Sequence, residues 1–64
     1  MTDFRPLFTV SRDGDVIAGF MSVTDAENFA QTLSGVAEVR SRGDGYRYYR
    51  FEDGVLVVVE EIEA

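Results

Sequence analysis

The chain carries twelve carboxylates and six arginines, with no histidine, lysine or cysteine. General acid–base catalysis needs a carboxylate, histidine or lysine positioned in a cleft. Here Asp13, Asp15, Asp44 and Asp53 fall in turn-forming stretches, and Glu60, Glu61 and Glu63 form an acidic tail. Turn formation and solubility account for carboxylates in such places. Without Cys or His there is neither a disulfide nor a zinc site of the usual ligand type. Thr24-Asp25 opens the one helical stretch, and a carboxylate there would repel a phosphate. The expectation is no catalysis, no metal and no cofactor.

Two short motifs resemble known binding sequences. Asp13-Gly14-Asp15 resembles the opening of a calcium loop but lacks the later Asp/Asn positions and the closing Glu. Arg42-Gly43-Asp44 is similar to the tripeptide that integrin ligands present at a hairpin tip. A chain of this composition carries that triplet by chance about one time in twenty, so it reads as turn chemistry. A third set is Arg40, Arg42 and Arg50 with Tyr46 and Tyr48. Arginine and tyrosine beside aliphatic residues are the side chains of protein interfaces and of single-strand nucleic-acid platforms.

These residues lie in strands bounded by tight turns. Asp53-Gly54 between apolar runs is a type I′ hairpin signal. An uninterrupted ladder from it pairs Phe51 with Leu56, Tyr49 with Val58 and Arg47 with Glu60. The other face then holds Glu52 with Val55, Arg50 with Val57, Tyr48 with Val59 and Tyr46 with Glu61. Gly43-Asp44-Gly45 fits a three-residue loop. A two-residue loop would bury Arg40, whereas three residues pair Val39 with Tyr49 and Ala37 with Phe51. That leaves Arg40 to stack on Tyr48 and Glu38 to pair with Arg50.

Upstream, Phe4 to Ser11 and Val16 to Val23 read as strands around a second type I′ turn at Asp13-Gly14. This ladder pairs Val10 with Ile17, Phe8 with Gly19, Pro6 with Met21 and Phe4 with Val23. Thr24 to Ser34 reads as the only helix, with Thr24 and Glu27 as a capping box and Gly35 as the stop. Ala26, Phe29, Ala30 and Leu33 form one narrow apolar stripe.

The fold class is therefore α+β: a five-stranded, mainly antiparallel sheet in the order β-β-α-β-β-β, with one helix on one face. The 64 residues form a single domain. Val55 to Val59 is apolar at every position, which suggests a central strand and a spatial order 2-1-5-4-3, all antiparallel; the alternative joins strands two and three in parallel around the helix. The helix is assigned to the face with Phe4, Phe8, Val10, Ile17, Met21, Val39, Tyr49, Phe51, Leu56, Val58 and Ile62. The reverse face carries Leu7, Phe20, Tyr46, Tyr48, Val55, Val57 and Val59, framed by Arg40, Arg42 and Arg50. Long Arg and Glu side chains lying over the valines could screen such a face. Its contiguous apolar area nevertheless exceeds what a monomer normally shows.

The site expected to bind is thus Tyr46, Tyr48, Val57, Val59, Arg40, Arg50, Phe20 and Leu7. A net charge of −6 disfavours nucleic acid, whose phosphates need a basic surface. It favours a basic protein partner, for example one that handles nucleic acid. In size and charge alone the chain is similar to phage-encoded anti-defence inhibitors, anti-CRISPRs among them. That likeness implies an inhibitor or adaptor whose carboxylates mimic phosphate charge. The alternatives are a homodimer joined through the open face and a single-strand nucleic-acid-binding domain. No apolar run is long enough for a signal peptide or a membrane span, and the lack of cysteine is compatible with the cytoplasm, the expected location.

Overall fold

A computed structural model describes residues 6–42 and 46–62. The expected pairings of Phe4, the tip of the Arg42-Gly43-Asp44 loop and the tail beyond Ile62 lie outside the described residues. The element order is β1 (Phe8–Arg12), β2 (Asp15–Phe20), α1 (Val23–Gln31), β3 (Val36–Ser41), β4 (Tyr46–Glu52) and β5 (Val55–Ile62). All four ladders are antiparallel, in one five-stranded sheet. The expected α+β class is what is found.

Both Asp-Gly turns are type I′. Asp13 and Gly14 have φ of 53° and 87°, and Asp53 and Gly54 have φ of 50° and 83°. Such positive values suit the twist of a two-residue hairpin. The β3–β4 register also matches expectation: Ala37 faces Phe51, Val39 faces Tyr49, Glu38 faces Arg50 and Arg40 faces Tyr48.

The strand order differs from expectation. It is β2-β1-β3-β4-β5, so β3 takes the central place beside β1 and β5 forms an edge. The reason lies in β3, where Ala37 and Val39 are buried while Arg40 is exposed. A strand that alternates in this way suits a sheet with one covered face. Because β1 is antiparallel to both β2 and β3, those two run parallel on either side of it. The helix that links them therefore packs over β1, with further contact to β2 and β3.

Two further corrections concern register. Each Asp-Gly hairpin departs from a regular ladder after two pairs. In the first, Arg12 faces Asp15 and Ser11 faces Val16, then Val10 faces Ala18 and Ile17 is the extra residue. In the second, Glu52 faces Val55 and Phe51 faces Leu56, then Arg50 faces Val58 and Val57 is extra. Each is a β-bulge, which reverses the facing of every later residue on its strand. The shift in β2 brings Phe20 to the helix side, its ring 5.5 Å from that of Phe29. A regular ladder would have put Gly19 there instead.

The helix begins two residues earlier than the capping-box pattern suggests. Ser22 is the N-cap, without a side-chain cap hydrogen bond, and Thr24 lies inside the first turn. Thr32 closes the other end, its hydroxyl donating to the Phe29 carbonyl at 2.7 Å. The core consists of Val10, Ala26, Ala30, Ala37, Val39, Tyr49 and Phe51, with Phe8, Ala18, Phe20, Val23, Phe29 and Leu33 packed around it. Small Ala26 and Ala30 let the helix sit close to the valines of β1 and β3. The centre of the contact is Val10 and Val39, on the face expected to carry the helix, with Tyr49 and Phe51 beside them.

Candidate protein-binding surface

The β4–β5 turn is tied to the end of the helical segment. The Asp53 carboxylate accepts from the Gly35 N–H at 2.8 Å, and the Asp53 N–H donates to the Gly35 carbonyl at 2.9 Å. From this anchor β5 runs out along the edge of the sheet. All eight of its residues are exposed, including Val57 at 48%, Val58 at 36% and Val59 at 52%. One flank meets β4; the other has no strand beside it among the described residues. A long aliphatic edge with unpaired N–H and C=O groups is a template for adding another strand, here with one bulge at Val57.

The β2 edge differs. It is shorter, and the Pro6 ring occupies the space where a Cβ on Gly19 would lie, 2.5 Å from that position.

The face opposite the helix carries a polar network around Glu38. The Tyr48 hydroxyl donates to the Glu38 carboxylate at 2.5 Å, and Arg40 Nη2 approaches the same oxygen at 3.3 Å. The Arg40 guanidinium lies 5.4 Å from the centre of the Tyr48 ring, the stacking expected from the sequence. The anionic acceptor, with partial burial, raises the Tyr48 pKa above its ordinary 10.0. Arg50 does not pair with Glu38 as expected. Its Nε, itself shielded from solvent, lies 3.2 Å from Glu52 without hydrogen-bond alignment.

On the helix side the Tyr49 ring is buried in the core, and its part-buried hydroxyl donates to Glu61 at 2.7 Å. Desolvation, then the anionic partner, pushes its pKa up to about 12. Arg47 Nε stands 4.0 Å from the same Glu61 carboxylate. Glu60 makes no hydrogen bond or ion pair with the described residues.

The expected site is thus only partly brought together. Tyr46, Tyr48, Arg40 and Arg50 share the open face by register, and Leu7, exposed, lies one residue before β1 with its carbonyl accepting from Arg42 N–H at 2.7 Å. Phe20 and Val59 do not belong to that face. The bulges turn them to the helix side, where Phe20 meets Phe29 and Val59 stands opposite Tyr49. Val57 sits at the bulge itself, and Val58 takes the open-face place opposite Arg50. The edge character of β5 is what the sequence reading missed. A signal was present in Glu60-Glu61-Ile62, since paired charges seldom continue a fully buried strand.

Among the described residues there is no concave pocket and no group of three His, Cys, Asp or Glu side chains placed to hold a metal ion. No helix there is long and apolar enough to cross a membrane. No protein-family model matches the chain, and no curated protein or solved structure is similar enough to place it in a family.

Proposed function

We propose that this chain is a non-enzymatic protein-binding module that occupies a partner through β5 and the adjoining open face, as an inhibitor or adaptor. The observation that carries this is the aliphatic β5, exposed along its whole length at a free sheet edge. Apolar surface of that extent is uncommon on a monomer without a partner. A binding role also explains why valines recur where a solvated edge would carry lysine or proline.

The open face supports a protein partner over single-stranded nucleic acid. Arg40 already covers the Tyr48 ring, and Glu38 holds the Tyr48 hydroxyl. A base would have to displace both in order to stack. The net charge of −6 adds to that barrier and steers basic partners in. An inhibitor whose carboxylates stand in for nucleic-acid phosphates is the finer form of this proposal.

Site-specific photo-crosslinking in the native host tests it. A benzophenone side chain at Val55 or Val57 should yield an adduct with a different protein. The same group at Asn28, on the exposed side of α1, should not. Adducts only between copies of the chain would favour the homodimer, and equal labelling from all three positions would remove the proposed surface.

A further inference from the structure

We propose that β5 accepts an added strand with an aliphatic centre and a cationic residue at each end, supplied by a different protein. This rests on the binding role above and specifies the partner's chemistry.

The aliphatic run Val55–Val59 is bracketed by acid. Glu52 and Asp53 stand at the turn, Glu60 and Glu61 at the far end. Local arginines balance only part of this charge. Arg50 lies against Glu52, and Arg47 reaches Glu61 at 4.0 Å. Asp53 is held by a backbone N–H, and Glu60 has no partner among the described residues. One carboxylate at each end of the strand therefore lacks a cation.

This pattern argues against a second copy. Antiparallel pairing of two β5 strands centred on Val57 and Val58 sets Glu60 and Glu61 against the turn end of the other chain, near its Asp53. Parallel pairing in register sets each glutamate beside itself. Both bring like charges together across strands, which is destabilising. A strand with arginine or lysine at both ends meets a carboxylate at each end in either direction, and aliphatic side chains in between.

The backbone offers pairing groups on both sides of the Val57 bulge. In a two-residue hairpin the pair flanking the turn, here Glu52 and Val55, is the hydrogen-bonded one, and pairs alternate from there. Leu56 and, past the bulge, Val59 fall at the non-bonded pairs, so their N–H and C=O groups turn to the free edge. Their side chains lie on the helix side of β5, which α1 does not cover.

The test uses the intact chain and three synthetic peptides with a common valine–threonine centre. One has paired arginines at both ends, one has paired glutamates there, and one is the arginine peptide N-methylated at alternate residues. The arginine peptide should bind and slow hydrogen exchange at the Leu56 and Val59 amides. The other two should bind about tenfold more weakly or worse. Glu60→Arg, at an exposed site, should weaken the arginine peptide while leaving the fold intact by NMR. Equal binding of the glutamate peptide, or binding without protection of those amides, overturns the proposal. So does a free chain that sediments as a dimer with the same amides already protected. If peptides fail while Val57 still crosslinks to another protein, only this strand chemistry falls and the binding role stands.

Discussion

Val59 stands opposite Tyr49, one residue further along β5 than an uninterrupted ladder from the Asp53-Gly54 turn would bring. That single shift carries Glu61, rather than Glu60, to the Tyr49 hydroxyl and leaves Glu60 on the open face. It also exchanges Val58 and Val59 between the two sides of the sheet.

The Tyr49–Glu61 contact should make stability depend on alkaline pH. The Tyr49 pKa is raised from 10.0 to about 12 in the fold. A raised folded pKa means that the native state holds its proton more tightly than the unfolded chain. The stabilisation is complete below pH 10 and is lost as pH rises through about 12. Urea denaturation at several alkaline pH values should show a falling midpoint for the wild type and a smaller fall for Tyr49→Phe. Parallel curves for the two proteins would count against the assignment.

Glu38→Gln should lower the Tyr48 pKa toward its ordinary value, because hydrogen bonding to the Glu38 carboxylate is the largest cause of its elevation. NMR titration of the Tyr48 ring would report this. Stability should fall by about 1 kcal/mol, because a part-buried hydrogen bond to a charged acceptor becomes one to a neutral amide.

Phe51 and Leu56 face each other across β4 and β5 but differ in burial, 1% against 42% exposed. Phe51→Ala should cost about 3–5 kcal/mol, a large share of the stability of so small a domain. Leu56→Ala should cost less than half as much. Equal losses by chemical denaturation would mean that β5 belongs to the core after all.

How far the sequence could be read depends on where its pattern had a single solution. The Asp-Gly turns were legible because few other dipeptides accept two successive positive φ values. The β3–β4 register was legible because only one loop length kept Arg40 out of the core. The bulges at Ile17 and Val57 were not, since Val16-Ile17-Ala18 and Val55–Val59 lack the alternation that ties a strand to one register. The place of β5 was hidden for a related reason. Consecutive valines demand cover, and composition does not say whether the same chain or another provides it. Tyr46, Tyr48, Arg40 and Arg50 take the expected face because they lie on β3 and β4, whose ladder has no bulge, whereas Phe20 and Val59 lie beyond one.

Two glycines with similar backbone angles should respond differently to alanine. A Cβ on Gly14 would meet open space, whereas a Cβ on Gly54 would lie 2.7 Å from the Gln31 carbonyl oxygen. Gly14→Ala should cost about 1–2 kcal/mol for its left-handed φ alone. Gly54→Ala should cost more, because the turn must also move away from the end of the helix. Thermal or urea unfolding of the two variants side by side decides this.

Val57→Arg should leave the unfolding free energy within about half a kcal/mol, as for other exposed sites, while abolishing partner crosslinking from Val55. A large loss of stability would show that the bulge is packed rather than open.

The strand order also bears on how the chain finds its structure. β1–β2 and the run β3–β4–β5 are each closed by neighbours in sequence, and among the described residues only the β1–β3 ladder, Val10 against Val39, joins distant strands. Loop closure across the helix must precede that ladder. The two hairpin units should gain order early and dock late, with Val10 and Val39 setting the pace. Until they meet, α1 has no valine surface on which to settle, so helix formation and docking should occur in a single kinetic phase.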